Sequence, residues 1–118
     1  MEEQAKRLAE LLRLLANQHR LLILCALTKE PLTVNRIAEH VPNISLPALS
    51  QHLQLLKVAG ILDSFKNAQN VTYSIADMRV LKVMEVLEAN YCTVSDQQVF
   101  GSNMAASQGV AVLSTDNR

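Results

Sequence analysis

The stretch Ser45-Leu-Pro-Ala-Leu-Ser-Gln-His-Leu-Gln-Leu-Leu-Lys-Val-Ala-Gly60 decides the fold of this chain of 118 residues. Ser45 is a good N-cap, and Pro47 suits a first helical turn because the N–H that proline lacks has no helical partner there. Gly60 is the usual residue just beyond a helix end. The sequence therefore predicts a helix from Leu46 to Ala59.

This predicted helix has an apolar face and a polar face. Leucines at positions i, i+4 and i+7 predict a stripe that faces the core, made of Leu49, Leu53 and Leu56. The opposite side carries Pro47, Ser50, Gln51, Gln54 and Lys57. Glutamine can pair bidentately with adenine, serine can donate or accept, and a helix N-terminus offers N–H groups to a phosphate. We therefore predict that the helix reads DNA in the major groove; the alternative is an ordinary surface helix with solvated side chains.

Two further helices are predicted at the start of the chain. Apolar residues recur every three or four positions from Glu2 to Ala16, which is typical of an amphipathic helix. Asn17 can cap a second helix, which contains the unbroken apolar run Leu21–Leu27 and ends before Pro31. A helix that is apolar all round must be buried on most sides.

A short helix precedes the Leu46–Ala59 helix. Thr33 can cap it, and Val34 to His40 keeps helical apolar spacing. Pro42-Asn43 then makes a turn. Two short helices joined by a tight turn predict a helix-turn-helix.

Beyond Gly60 the apolar pattern changes from that of a helix to that of strands. Ile61 to Lys66 and Val71 to Ile75 contain β-branched and aromatic residues on either side of a polar turn, which predicts a hairpin. Polar side chains at or near its tip can lie along the minor groove or the backbone of DNA, and they are Lys66, Asn67, Gln69 and Asn70.

Asp77 can cap a last helix that extends to about Tyr91. This helix carries more apolar surface than one small core can bury. Its apolar residues are Val80, Leu81, Val83, Met84, Val86, Leu87 and Tyr91. Together with the Leu21–Leu27 run they indicate a helical dimer interface, which we assign to the first and last helices. The predicted fold is mainly α with a small β-hairpin wing, a winged helix-turn-helix that forms a homodimer.

The composition divides the chain into two parts. Thr93–Arg118 is rich in Ser, Thr, Asn, Gln and Gly and carries few charges, which is typical of a poorly ordered extension. We therefore predict a DNA-binding and dimerisation domain over residues 1–92 and a polar C-terminal extension over residues 93–118.

The charge balance bears on nucleic-acid binding. The chain carries 11 basic and 11 acidic residues, whereas a protein that binds phosphates normally shows a basic excess. Residues 1–76, however, contain eight Lys or Arg and six Asp or Glu, so the part predicted to face DNA is mildly basic. We expect binding to depend on dimer geometry, helix N-terminal amides and groove contacts more than on bulk charge.

Several classes of protein are excluded. Met1–Arg7 carries four charged side chains and is no signal peptide, and the Leu21–Leu27 run is far shorter than the roughly 20 residues that cross a bilayer. We therefore expect a cytoplasmic protein without a membrane partner. The chain has no glycine-rich phosphate loop and no spacing typical of paired carboxylates or a Cys/His pair, which predicts no enzyme, no catalytic residue and no cofactor.

Four segments resemble the ArsR/SmtB family of winged-helix repressors, namely Leu14–Leu24, Leu32–Ala38, Ser45–Leu62 and Val71–Ile75. The resemblance covers about residues 5–92, and Ser-Gln-His-Leu followed by Ala-Gly is fairly specific. It implies a homodimer that binds double-stranded operator DNA with dyad symmetry and releases it when a small inducer is sensed.

The resemblance also places His52 on the DNA-recognition helix. Because His52 adjoins the leucine stripe, we expect partial burial of its ring or a phosphate contact rather than a metal ligand. His19 and His40 stand alone in the sequence and are interpreted as solvated helix residues. The predicted DNA-binding set is Ser45, Pro47, Ser50, Gln51, His52, Gln54, Lys57, Lys66, Asn67 and Gln69.

Metal-sensing members of the resembling family carry Cys-x-Cys near the first helix of the helix-turn-helix, or Asp/His ligand pairs on the last helix. In this chain Leu32–Arg36 contains no thiol, and Asp77–Tyr91 contains no histidine. Zinc requires about four nitrogen or sulfur ligands. The sequence therefore predicts no metal site.

The two cysteines resemble those of one branch of the family. Ile23-Leu24-Cys25 and Tyr91-Cys92 match the dithiol branch that senses persulfides and polysulfides. The resemblance implies redox sensing by Cys25 and Cys92, since one thiolate can attack and the other can resolve the adduct. The alternatives are peroxide, another oxidant or a metal as inducer, a dimer without a sensing site, or Cys25 as an apolar filler and Cys92 as an incidental thiol.

Overall fold

The structure is a computed structural model that describes residues 1–91. Its elements follow in the order α1 (Glu2–Leu15), α2 (Gln18–Leu27), β1 (Leu32–Thr33), α3 (Val34–Ala38), α4 (Leu46–Val58), β2 (Leu62–Asn67), β3 (Asn70–Ile75) and α5 (Met78–Tyr91). The predicted order of helix-turn-helix, wing and last helix is confirmed. No helix among the described residues is long and apolar enough to span a membrane.

The chain divides into two compact units, Met1–Leu81 and Lys82–Arg118. The first unit contains α1 to α4, the sheet and the start of α5. Of the second unit, the described part is the remainder of α5, so the predicted extension over residues 93–118 lies outside the described residues.

Four of the five helices in the described residues, α2 to α5, begin at the polar side chains that the sequence predicts as caps, whereas α1 begins after Met1 without a side-chain cap. A cap accepts a hydrogen bond from an N–H that has no partner within its own helix and stabilises the helix by about 1 kcal/mol. The four bonds are Arg20 N to Asn17 Oδ1 at 3.1 Å, Arg36 N to Thr33 Oγ1 at 3.3 Å, Ala48 N to Ser45 Oγ at 3.2 Å and Arg79 N to Asp77 Oδ1 at 2.9 Å.

The end of α4 is closed by a Schellman motif. The N–H of Ile61 donates to the carbonyl of Leu56, and the N–H of Gly60 donates to the carbonyl of Lys57, both at 3.0 Å. Gly60 has φ +84°, a left-handed conformation that glycine adopts without steric cost. Because Ile61 and Leu56 are both buried, the motif directs the chain from the helix into the wing.

The buried faces of α4 and α2 supply six side chains of the hydrophobic core. The predicted leucine stripe of α4 is confirmed, since Leu49, Leu53 and Leu56 have no exposed surface. On α2 the buried side chains are Ile23, Leu24 and Leu27, and the other residues of the apolar run are half-buried. The remaining core of the first unit is Leu15, Leu32, Ile37, Val41, Ile61, Leu62, Tyr73 and Val80.

The sheet has one strand more than the predicted hairpin. β2 and β3 pair antiparallel from Leu62↔Ile75 to Asn67↔Asn70, as the hairpin prediction requires. β1 pairs with the other side of β3, and the strand order is β1-β3-β2. A strand of two residues is too short to show an alternating pattern, so the hairpin prediction was incomplete.

We predict that Gly60→Ala lowers the free energy of unfolding by about 1 kcal/mol, because an L-residue is strained at φ +84°. A Cβ at this position meets no atom within 4 Å, so the loss comes from the backbone alone. Ala68→Gly is the matched reverse substitution, since Ala68 has φ +59°, and we expect it to leave stability unchanged or raise it. Urea denaturation measures both variants, and an equally stable Gly60→Ala variant contradicts the prediction.

Candidate functional site

The outer face of α4 carries a row of exposed polar side chains. The helix begins after the Ser45 cap, so its first turn presents backbone N–H groups at the surface. The side chains predicted from the sequence to contact DNA are exposed on this face or at its start, and they are Ser45, Pro47, Ser50, Gln51, Gln54 and Lys57. This polar face is turned away from the buried leucines and can meet a groove of DNA.

Three apolar side chains interrupt the polar face of α4, and the sequence pattern missed them. Leu46, Leu55 and Val58 are exposed, and Val58 retains 77% of its surface. Such side chains can contact the methyl group of thymine. The sequence did offer a signal for the exposure of Leu55 and Val58, because these two residues do not share the helical spacing of the buried leucine stripe.

The tip of the wing is tight and polar. Asn67 and Asn70 are paired at the end of the hairpin, which leaves Ala68 and Gln69 as the connecting residues. Lys66, Asn67, Gln69 and Asn70 are all exposed, as the prediction requires for groups that contact DNA. Phe65 is also exposed on β2, and the sequence pattern did not single it out.

His52 differs from the other predicted DNA-binding residues, because its ring is half-buried against α2. Its Nδ1 atom lies 3.4 Å from Nη1 of Arg20, and its ring centroid lies 5.7 Å from that of His19. Burial, followed by the Arg20 cation and His19, lowers the pKa of His52 below its ordinary value. The predicted partial burial is confirmed, but the interpretation of His19 as a solitary solvated residue is wrong. His40 is exposed.

Arg20 joins three helices, and the sequence pattern did not reveal it. Its Nε donates to the carbonyl oxygen of Leu14 at 2.6 Å, in the last turn of α1. Its backbone N–H donates to the Asn17 cap, and its Nη1 approaches His52 on α4. Arg20 and His52 are 32 positions apart, so no local pattern could have paired them.

The structure describes one of the two cysteines. Cys25 is half-buried on α2, next to the fully buried Leu24. Its carbonyl oxygen accepts hydrogen bonds from the backbone N–H and the hydroxyl of Thr28, at 3.3 and 2.8 Å. Cys92 lies outside the described residues. Within residues 1–91, no three His, Cys, Asp or Glu side chains are arranged to hold a metal ion.

Comparison with known proteins assigns the family. The model of the bacterial regulatory protein, arsR family, matches residues 17–64, which contain the helix-turn-helix and the start of the wing. The transcriptional activator HlyU of Vibrio cholerae serotype O1 is 36% identical over 92 residues, which are 78% of this chain and 84% of that protein. The chain belongs to the arsR family of bacterial regulatory proteins. A biofilm growth-associated repressor of Agrobacterium fabrum is 34% identical over 92 residues and 78% of each chain.

Solved structures of arsR-family proteins share the fold. Reduced HlyU from Vibrio cholerae N16961 has a TM-score of 0.74 and 36% identity over 78% of this chain and 96% of that one. The homodimeric winged helix-turn-helix DNA-binding domain of a possible ArsR-family regulator from Mycobacterium bovis has a TM-score of 0.64 and 26% identity, over 75% and 81% of the two chains. This arsR-family chain is therefore a winged helix-turn-helix transcriptional regulator.

Proposed function

We propose that this chain is a homodimeric repressor that binds a palindromic DNA operator and releases it when Cys25 and Cys92 react with persulfides or polysulfides. The observation that carries the DNA-binding part is the exposed polar face of α4, which lies opposite three fully buried leucines. Under this proposal α4 is the recognition helix, and no catalytic residue, cofactor or bound metal is required.

The contacts with DNA divide into those that read bases and those that position the protein. Ser50, Gln51 and Gln54 present hydroxyl and amide groups to base edges in the major groove. Ser45 and Pro47 place the N-terminus of α4 near a phosphate, and Lys57 and Lys66 supply positive charges for the backbone. Asn67 and Gln69 at the tip of the wing lie along the backbone or the minor groove.

The exposed apolar side chains of α1 and α5 support a homodimer. On α1, Leu8 and Leu12 lie one helical turn apart and retain 54% and 49% of their surface. On α5, Val83 and Val86 are exposed in the same way. Apolar surface of this kind favours burial against another subunit at about 25 cal/mol per Å². The Mycobacterium bovis relative is homodimeric, and two copies related by a dyad suit a palindromic operator.

The proposed sensing reaction is a thiol–disulfide exchange. One cysteine thiolate attacks the outer sulfur of a persulfide RSSH, which forms a cysteine persulfide and expels RS⁻. The second thiolate attacks the protein sulfur of that persulfide, which forms a disulfide and expels HS⁻. The two cysteines are thus oxidised and the persulfide is reduced. One solved structure of the relative HlyU is of its reduced form, which is consistent with the redox role that we propose for this chain.

The proposed release of DNA follows from where the two cysteines lie in the chain. Cys25 belongs to α2, and Cys92 directly follows α5. A bond between them ties these two helices together. In the homodimer such a tie changes the angle between the two recognition helices, and operator affinity falls because both helices can no longer fit successive major grooves.

We predict that Leu12→Glu shifts the chain from dimer to monomer, because a carboxylate then replaces an exposed apolar group in the proposed interface. Arg13→Glu is the control, since Arg13 is also exposed on α1 but lies off the apolar row. Sedimentation of the full chain measures the mass. A Leu12→Glu variant that stays as dimeric as the control contradicts an interface on α1.

For DNA binding, we expect Gln51→Ala to lose about 1–3 kcal/mol of discrimination between operator and mismatched DNA. Lys66→Ala is expected to weaken binding to every sequence. It should also make the slope of log binding constant against log salt concentration shallower by about one, as for the loss of one phosphate contact. Lys29→Ala removes the same charge from an exposed turn outside α4 and the wing and is the control. Fluorescence titrations at several salt concentrations measure these effects, and equal losses for Lys29→Ala and Lys66→Ala argue against the wing contact.

For sensing, we predict that polysulfide releases the wild-type protein from operator DNA while adding about 32 Da per sulfur or forming a bridge between the two cysteine peptides. Cys25→Ser is expected to stay bound after the same treatment, and Cys92→Ser is expected to gain the mass without a bridge. Gel shift and mass spectrometry of the same samples provide the measurement. Unchanged release of Cys25→Ser excludes the proposed switch, and release by peroxide or a metal alone identifies another inducer.

A further inference from the structure

The geometry points to Arg20 and His52 as a positioning pair that seats the recognition helix α4 on α1 and α2. In this proposal the neutral ring of His52 accepts a hydrogen bond from Arg20 at its Nδ1 atom. His52 therefore makes a contact within the protein and does not contact a DNA phosphate. The inference rests on the proposed operator binding and adds to it the residues that set the orientation of the DNA-reading face.

Arg20 is held on two sides before it reaches His52. Its backbone N–H is bonded to Asn17, and its Nε donates to the carbonyl oxygen of Leu14 at 2.6 Å. A guanidinium has only donors, so Nη1 can bond Nδ1 of His52 at 3.4 Å only when that nitrogen carries no proton. The contact therefore selects the neutral imidazole with its proton on Nε2.

The charges around His52 favour the same neutral form. Among the described residues, the charged and titratable groups that act on His52 are Arg20 and His19, both on α2. Burial and these two neighbours lower its pKa, so the ring stays neutral at physiological pH. Protonation of His52 turns Nδ1 into a donor that faces the Nη1 donor of Arg20. It also places a positively charged imidazole beside the positively charged guanidinium.

The position of His52 in the chain explains why this contact affects DNA reading. Its neighbours on α4 are Gln51, whose amide is exposed, and Leu53, which is fully buried. A group that reads a base must be held within about 0.5 Å of its productive position. Arg20 also shares α2 with Cys25, so a displacement of that helix reaches the recognition helix through this pair.

The sign of the pH dependence follows from the lowered pKa. As the pH falls, the unfolded chain takes up a proton on His52 near its ordinary pKa, whereas the folded chain takes it up only at lower pH. Folding stability therefore rises with pH through this interval and is lost as the pH falls below about 6.5. Operator affinity is expected to fall over the same interval, because the protonated ring no longer accepts from Arg20.

Amide substitutions distinguish the two nitrogens of His52. An asparagine oxygen can take the place of Nδ1, whereas a glutamine side chain reaches the place of Nε2. We expect His52→Ala to weaken operator binding about threefold to tenfold, as for the loss of one hydrogen bond. His52→Asn should restore most of that loss, and His52→Gln should not. His40→Ala, at an exposed histidine outside this cluster, is the matched control.

The pH profile separates positioning from general stability. Because the pKa of His52 is lowered, wild-type affinity should fall as the pH drops below about 6.5, and His52→Asn should lack the part of that fall that belongs to His52. His19→Gln should keep it. Arg20→Lys should weaken operator binding as much as His52→Ala does. The double variant Arg20→Lys/His52→Ala should lose no more operator affinity than either single variant, because both substitutions remove the same contact.

A nitrogen NMR spectrum of the histidine rings tests the pair without DNA. The full-length wild type should show His52 as the neutral Nε2–H tautomer at pH 7, and Arg20→Lys should change that signal. An Nδ1–H tautomer, a protonated ring at pH 7, or rescue by glutamine in place of asparagine overturns the proposal. A wild type that binds no palindromic DNA but shows the expected tautomer refutes the proposed function and leaves the contact between Arg20 and His52 standing.

Discussion

Burial of one side of α4 is the interaction on which the other features depend. Leu49, Leu53 and Leu56 have no exposed surface, and burying each of them contributes about 1.5–3 kcal/mol. Because these three leucines fix the rotation of the helix about its axis, they also determine which residues face solvent. The exposed row that includes Ser50, Gln51 and Gln54 is thus a consequence of core packing, and a rotation of the helix would expose leucine and bury amide groups at a cost in free energy.

Sequence patterns predict the parts of this structure that are decided locally. The caps at Asn17, Thr33, Ser45 and Asp77 and the glycine at the end of α4 each depend on residues within a few positions, and the structure contains all of them. Two features escaped prediction because they join distant segments, namely β1 of the sheet and the approach of Arg20 to His52. Neither a two-residue strand nor a side-chain pair 32 positions apart leaves a periodic signal. Cys25 shows a related limit, since the sequence locates the thiol but its reactivity depends on surroundings that periodicity does not describe.

Family membership fixes the scaffold of this protein more firmly than its regulatory outcome. Two of its relatives are an activator and a repressor, with 36% and 34% identity over the same length of 92 residues. A shared fold therefore permits either effect on transcription. The charge of the whole sequence is balanced, and residues 1–76 are mildly basic. Under the proposed function, shape and the placement of a few amide and hydroxyl groups therefore carry a large share of DNA recognition.

The short strand β1 has a consequence for the order in which the protein folds. Its pairing of Leu32 with Tyr73 closes a loop that contains α3, α4 and most of the hairpin. Contacts between residues this far apart carry a high entropic cost and form late, after local helices and turns are in place. The hairpin alone is marginally stable, and a third strand is needed for a lasting sheet. The wing therefore reaches its full stability only after the helix-turn-helix has folded. A fully formed wing then indicates that the whole domain has folded.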